Sequence, residues 1–220
     1  MPRKPARPTR ERILEASLRL FNQFGEPNVT TSAIGDEVGI SSGNLYYHFR
    51  HKEEIVGALF EQFEREIDPL LDTPLRGPVH FEDAWLFLHL LFESIWRYRF
   101  VYRNLNDLVS RNRRLERHFH SVVERKRKAA LALCEALIDS GRMRAHPMEV
   151  DALATNMVVL ATYWLSFEYV GNADRFEQAD YQSAAIARGA YHVLALVAPH
   201  LDPDGAELLR RLAAEYLART

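Results

Sequence analysis

The sequence predicts an all-α protein, a small N-terminal helical bundle joined to a larger C-terminal one. Three observations carry that reading. Apolar residues recur at spacings of three and four along most of the 220 residues, no segment alternates as a strand would, and the densest cluster of helix breakers, Pro69, Pro74, Gly77 and Pro78, falls in one place. With 47% hydrophobic and 26% charged residues the chain has the composition of an ordinary globular protein able to bury a core. The nearest approach to a membrane span, Leu153 to Val170, is interrupted by Thr155, Asn156, Thr162, Ser166 and Glu168, so no membrane partner is expected. The opening MPRKPARPTR lacks an apolar signal core, so export is not expected and a cytoplasmic location is. A single cysteine, Cys134, excludes an internal disulfide framework and a multi-cysteine zinc site.

Each element can be justified in chain order. Ile13, Ala16, Leu20, Phe21 and Phe24 line one face of a first helix over residues 10–24, with Thr9 as its N-cap and Gly25 as its stop. Thr30 and Thr31 can cap a short second helix whose inner face is Ile34 and Val38, and Gly39 supplies a left-handed exit. Ser41 caps a third helix, Ser42 to Phe49. Lys52 precedes a fourth, where Glu53 and Glu54 suit the positive N-terminal end and Ile55, Leu59 and Phe63 share a face, until Asp68-Pro69 ends it. Beyond the breakers the pattern gives helices near Phe81–Phe100, Tyr102–Ser110, Leu115–Ser140, Met148–Val170, Tyr181–Val197 and Asp204–Ala218. Gly141 closes one of these, and Pro147 and Pro203 fit first turns, the latter after Asp202 as cap.

The net charge of -2 argues against a polyanionic partner only while it is left undivided. Residues 1–52 hold 8 Lys and Arg against 5 Asp and Glu, whereas residues 53–220 hold 20 against 25. The N-terminal part, which opens on Arg3, Lys4, Arg7 and Arg10 before any acid, can face a polyanion, although a solvated arm would carry the same charges. The segment Thr30 to Phe49 gives this face its chemistry. Two short helices meet at a glycine turn, and Ile34, Val38, Ile40, Leu45 and Phe49 are placed to lock the angle between them, as in a helix-turn-helix. The rest of the second helix offers Ser42, Gly43, Asn44, Tyr46, Tyr47 and His48, groups suited to phosphates and base edges.

The run Gly-Ile-Ser-Ser-Gly-Asn-Leu-Tyr-Tyr-His-Phe-Arg-His-Lys-Glu-Glu-Ile, residues 39–55, resembles the DNA-binding signature of the TetR family of one-component bacterial repressors. The resemblance covers about Thr9 to Phe63. Beyond it, the chain is similar to the family only in length and helical character. It implies a homodimer on a palindromic double-stranded DNA operator, controlled by a small molecule in the C-terminal domain. By position it implies phosphate contacts from Thr30, Thr31, Ser41, Ser42, Tyr47, His48 and Lys52, and base-edge contacts from Ser42, Gly43 and Asn44. Tyr46 is expected to pack inside the small domain. Gly35 departs from the family's usual alanine, and glycine within a helix costs about 0.5–1 kcal/mol relative to alanine. The expected organisation is a DNA-binding helix-turn-helix domain with its basic arm at 1–52, a connecting helix at 53–68, a linker loop at 69–80 and a ligand-binding and dimerisation domain at 81–220.

An effector site is expected among rings. A helix sets Trp85, His89, Phe92 and Trp96 along one side, and Trp164 lies among the later aromatics Tyr163, Phe167 and Tyr169. Core packing accounts for the same stripes. Residues 97–128 carry 11 Lys and Arg against Asp107, Glu116 and Glu124. Such a run is a solvated face, or else Arg97, Arg99 or Arg103 neutralises an anionic effector whose acyl or aromatic part lies among the rings. The candidate ligand residues are therefore Trp85, His89, Phe92, Trp96, Arg103 and Trp164. His118 and His120 face different ways on a helix, so no metal set is expected, and no cofactor. Cys134, between Leu133 and Leu137, reads as a buried small hydrophobe. The helix Met148–Val170 is apolar nearly all round and Tyr181–Val197 is rich in alanine and glycine, which suits a four-helix interface between two subunits.

A ligand-responsive repressor is the function these features predict. A DNA-binding regulator without an effector is the alternative, and a helical enzyme a more distant one. No catalytic residue is assigned, since the chain has no Gly-x-Ser-x-Gly elbow and no phosphate-cradling glycine loop.

Overall fold

The computed structural model describes residues 8–72 and 81–218. Among these residues there are eleven α-helices, two 3-10 turns and no strand. The helices are α1 (Thr9–Phe24), α2 (Thr31–Val38), α3 (Ser42–His48), α4 (Lys52–Asp72), α5 (Phe81–Arg97) and α6 (Arg99–Arg103), followed by α7 (Leu105–Arg111), α8 (Arg113–Asp139), α9 (Pro147–Gly171), α10 (Ala179–Ala195) and α11 (Pro203–Leu217). Several termini obey local rules legible in the sequence. Thr30 and Ser41 cap α2 and α3 by accepting from the backbone N–H groups of Ala33 and Asn44. Gly39 and Gly141 leave their helices with φ of 71° and 73°. Pro147 opens α9 behind His146, which forms a reciprocal capping pair with Glu149, and Asp202 caps α11. Thr9 is already the first residue of α1, and Pro8 takes the cap position without a side-chain bond.

The fourth helix does not end at Asp68-Pro69. It runs through Pro69 to Asp72. A proline there forfeits one backbone hydrogen bond, but Ile67 and Leu71 are both buried, so the apolar face continues through the last turn and holds it helical. The remainder of the expected linker, 73–80, lies outside the described residues, as do Arg3, Lys4 and Arg7.

Packing divides the chain into two compact units, Met1–Glu64 with Tyr98–Glu116, and Arg65–Arg97 with Arg117–Thr220. The sequence reading placed Tyr98–Glu116 with the C-terminal domain, but the helix expected over Phe81–Phe100 breaks at Tyr98 and the next turns join the first unit. Ring packing explains the difference. Phe100 meets Phe21 at 5.4 Å between centroids, and Tyr98 and Tyr102 meet Phe63 at 5.5 and 5.8 Å. The Phe100 N–H donates to Asn22 Oδ1, and Arg103 donates to the Asn22 carbonyl at 2.7 Å. In the second unit α10 packs on α5, α9 and α11.

Part of the basic stretch 97–128 is taken up within these units. Arg97 pairs with Glu66 at 2.9 Å, Arg111 with Glu26 at 3.0 Å, Arg114 with Glu61, Arg125 with Asp68 at 2.6 Å, and Arg127 with Asp151. Five of its eleven cations thus face carboxylates contributed by other helices and turns, which accounts for part of an excess that composition left open.

Candidate nucleic-acid interface

The reading surface is assembled by α1 and α2 holding α3. Ile34, Val38, Leu45 and Phe49 are buried, so the turn is fixed from inside by the residues the pattern selected. Arg12 reaches from α1 to the Val38 carbonyl at 2.6 Å, satisfying a free acceptor at the end of α2. Gly35 is more than a weak point in that helix. A Cβ there would stand 3.2 Å from the Ile40 carbonyl oxygen, so glycine gives the turn room to close, while the Ile40 N–H donates to the Gly35 carbonyl.

With the core side of α3 occupied, Ser42, Gly43 and Asn44 are all exposed at its first turn. A Cβ at Gly43 would meet nothing within 4 Å, so glycine there serves no packing need and leaves the surface open to close approach. Tyr47 is 86% exposed and stands edge-on to His48, with ring centroids 5.2 Å apart. Tyr46, expected to pack inside, is 51% exposed and joins this surface. The first turn of α3 thus offers hydroxyl and amide groups and its last turn aromatic ones, an arrangement able to contact phosphates and read base edges.

Three of the expected contact residues have structural work. Thr30 and Ser41 act as caps, though both remain exposed. Lys52 is turned inward. Its ammonium donates to the carbonyls of Glu26 and Val29 at 2.8 and 3.1 Å and pairs with the buried Glu26 carboxylate at 2.9 Å, so it ties the end of α1's connection to the start of α4. Thr31, half-buried, begins α2. Arg10, expected in the basic arm, lies on α1 with its guanidinium 4.8 Å from the Phe49 ring centre.

In the second unit the expected ligand residues form packing contacts rather than one cavity. Trp85 is buried and stacks on Tyr216 at 4.8 Å, Trp96 stacks on Phe176 at 4.6 Å, and Trp164 donates to the Ala185 carbonyl at 2.9 Å. Phe92 is buried, His89 is half-buried with Glu93 at 3.6 Å, and Arg103 belongs to the first unit. Of the six, Trp164 lines two open depressions beside Phe167 and His192, and a further cleft of this unit lies among Leu71, Phe87, Leu88, Leu91, Leu133 and Met157, with Lys126 as its charged member. The signal was present in the sequence: Leu115, Phe119, Val122, Lys126, Leu133 and Leu137 make one stripe of α8, and a lysine interrupts it. Cys134 is buried, and burial pushes its thiol up to about 11, as suits an unreactive packing residue.

The outer side of α9 is unusual. Met148, Val159, Tyr163, Phe167 and Val170 are exposed along it, from 48% at Tyr163 to 84% at Val170. By length and composition this helix could cross a membrane, but half of its most apolar stretch is buried within the unit.

A helix-turn-helix with an exposed reading helix, followed by a larger helical unit, defines a DNA-binding transcriptional regulator. Residues 13–59 match the pattern described as "Bacterial regulatory proteins, tetR family", and residues 62–209 match "Bacterial transcriptional repressor" of the same family. The chain belongs to the TetR family, a family of transcriptional regulators and not of enzymes. It is 33% identical to a TetR-family transcriptional regulator from Marinobacter aquaeolei VT8, with a TM-score of 0.84 over 95% of this chain and 98% of that one. It is 36% identical over 78 residues to the HTH-type transcriptional regulator UidR of Escherichia coli, a match spanning 36% of this chain and only 39% of UidR. A transcriptional regulator from Saccharomonospora viridis in complex with choline shares the fold at 19% identity, TM-score 0.64, covering 86% of this chain and 94% of that one.

Proposed function

We propose that the protein is a cytoplasmic homodimeric repressor that binds a palindromic operator through two α3 helices and is released by a small, partly apolar effector held in the second unit. The observation carrying this reading is the pairing of an exposed polar reading helix in one unit with an exposed apolar stripe in the other. Met148, Val159, Tyr163, Phe167 and Val170 recur along α9 at helical spacing, and Val159, Tyr163 and Phe167 line a shallow apolar depression of about 550 Å³ that also involves His192 of α10 and Leu196 just after it. Such a stripe is costly to leave in water and suits burial against its own copy. Two copies would then meet half-sites about 34–36 Å apart, or a multiple of that distance.

Within the reading head, Ser42, Gly43 and Asn44 approach base edges, while Thr30, Thr31, Ser41, Tyr47 and His48 hold backbone phosphates. Lys52 supports them from inside. The test is to select operator sequences with the purified protein, then to identify by native mass spectrometry any metabolite carried from cells and ask whether it releases the DNA. The reading expects a palindromic consensus whose base preferences change in Asn44→Ala, and release by the metabolite. A consensus unchanged by Asn44→Ala would remove the base-reading role. Undiminished DNA binding at saturating metabolite would favour a regulator without an effector.

A further inference from the structure

Five lysines and arginines stand between residues 8 and 64 of the reading head, and three are engaged inside it. Arg12 donates to the Val38 carbonyl at 2.6 Å, Arg19 pairs with Glu37 at 2.8 Å, and Lys52 pairs with the buried Glu26 carboxylate at 2.9 Å. The other two, Arg10 and Arg50, are exposed, and among the described residues neither guanidinium meets a carboxylate. They also fall in one place. The Arg10 guanidinium lies 4.8 Å from the centre of the Phe49 ring, and Arg50 directly follows Phe49, the buried residue that ends α3. A guanidinium stacked by its face on a ring is held in position and keeps its N–H edge available. At Arg50 it is the backbone that is held: its N–H donates to Glu54 Oε2 at 3.0 Å, which fixes the turn between α3 and α4 while the side chain stays in solvent. Two cations without acids thus sit at the last turn of α3, at the other end from exposed Ser42, Gly43 and Asn44.

The length of the helix decides what such cations meet. At about 1.5 Å per residue, the seven residues of α3 span about 10 Å, close to the depth of a major groove, about 8.5 Å. With the first turn of α3 at base edges, its last turn stands at the rim, where the duplex offers phosphates and not bases. We propose that Arg10 and Arg50 together clamp the phosphate backbone of the operator at this rim, the contact that Lys52, turned inward, does not make. Guanidinium forks suit the task, since each engages a phosphate through two N–H bonds. The inference rests on α3 as the reading helix and goes beyond it by assigning the charge that anchors that helix.

The experiment measures binding of the full-length protein to a selected operator and to an unrelated duplex between about 50 and 200 mM salt. It compares the wild type, Arg10→Gln, Arg50→Gln and, as an equal loss of charge in the same unit, Arg19→Gln. Arg10→Gln and Arg50→Gln are each expected to lower the slope of log affinity against log salt by about one per bound head, and to weaken both duplexes alike, by at least about tenfold at the lower salt. Arg19→Gln should keep the wild-type slope, and so should Arg10→Lys and Arg50→Lys, which retain the charge. A second readout replaces operator phosphates singly by neutral methylphosphonates. Positions that weaken the wild type through Arg50 should leave Arg50→Gln indifferent, which a folding defect does not imitate. A wild-type slope in either glutamine variant, or affinity lost with the slope intact, would overturn the clamp. If Arg10→Gln fails to fold, the scan still decides: the wild type must be weakened at neighbouring phosphates of which Arg50→Gln ignores only part, and sensitivity confined to those it ignores would overturn the share of Arg10. Were the wild type to select no operator, the reading of α3 would fall and the clamp with it. A selected operator with wild-type slopes in both glutamine variants refutes the clamp alone.

Discussion

Lys52 shows how a residue type can point to one role and its surroundings to another. A lysine just after the reading helix suggests a phosphate contact, yet its ammonium meets two carbonyls and the buried Glu26 carboxylate, which Arg111 approaches from the other side. Lys52→Ala should therefore lower the stability of the protein by about 1–3 kcal/mol in chemical denaturation, because it removes one of two cations from a buried acid. The salt dependence of DNA binding should hardly change. A salt slope reduced by about one would instead place this ammonium on a phosphate. Gly189 makes the complementary point. A Cβ there would lie 2.8 Å from two atoms of the Trp164 ring and 3.0 Å from Phe92, so α10 can approach these rings only with glycine. Gly189→Ala should cost about 1–3 kcal/mol by overpacking, outweighing the helix propensity it gains, and the melting temperature should fall. In the sequence Gly189 looks like one more small residue in an alanine-rich run. Its partners, 25 positions back and nearly a hundred back, are brought to it only by tertiary packing.

At the scale of elements, what the sequence foretold best was what local chemistry decides. The caps at Thr30, Ser41 and Asp202 and the exits at Gly39 and Gly141 follow from hydrogen-bonding side chains and from φ values that only glycine tolerates comfortably. Where local and tertiary signals conflict, the local one misleads. Pro69 signals a helix end, but the buried faces of Ile67 and Leu71 carry α4 past it; for the stripe with Trp85 and Trp96, where the sequence left core packing and a ligand wall side by side, the rings stack on Tyr216 and Phe176. The helix α9 was legible as apolar all round, and its two sides now have separate meanings. Leu153, Ala154, Met157, Ala161 and Leu165 are buried in the unit, while Phe167 is 70% exposed on the far side. Phe167→Asp should convert a dimer to a monomer at micromolar concentration in analytical ultracentrifugation, leaving the helical signal and melting temperature of the monomer close to wild type. Retention of the dimer would move the interface away from α9.

For the whole molecule, the all-helical class and the reading head were legible because both rest on short-range periodicity and on a motif confined to residues 30–55. The unit boundary was not, because Tyr98–Glu116 returns to the first unit through contacts with Phe21, Asn22, Glu26 and Phe63 that no local pattern announces. The near-zero net charge, divided along the chain, leaves the reading head only modestly positive, and part of the later basic stretch is matched by carboxylates of its own unit. One head alone thus has little electrostatic grip on DNA, and affinity must come from two heads acting together. The direct measurement compares binding of the wild-type protein to a selected palindrome and to the same duplex with one half-site scrambled, at physiological salt. The account predicts that losing one half-site weakens binding at least about 100-fold, with one dimer on the intact site. Equal affinity for the two duplexes, or a single subunit bound to the intact palindrome, would contradict it.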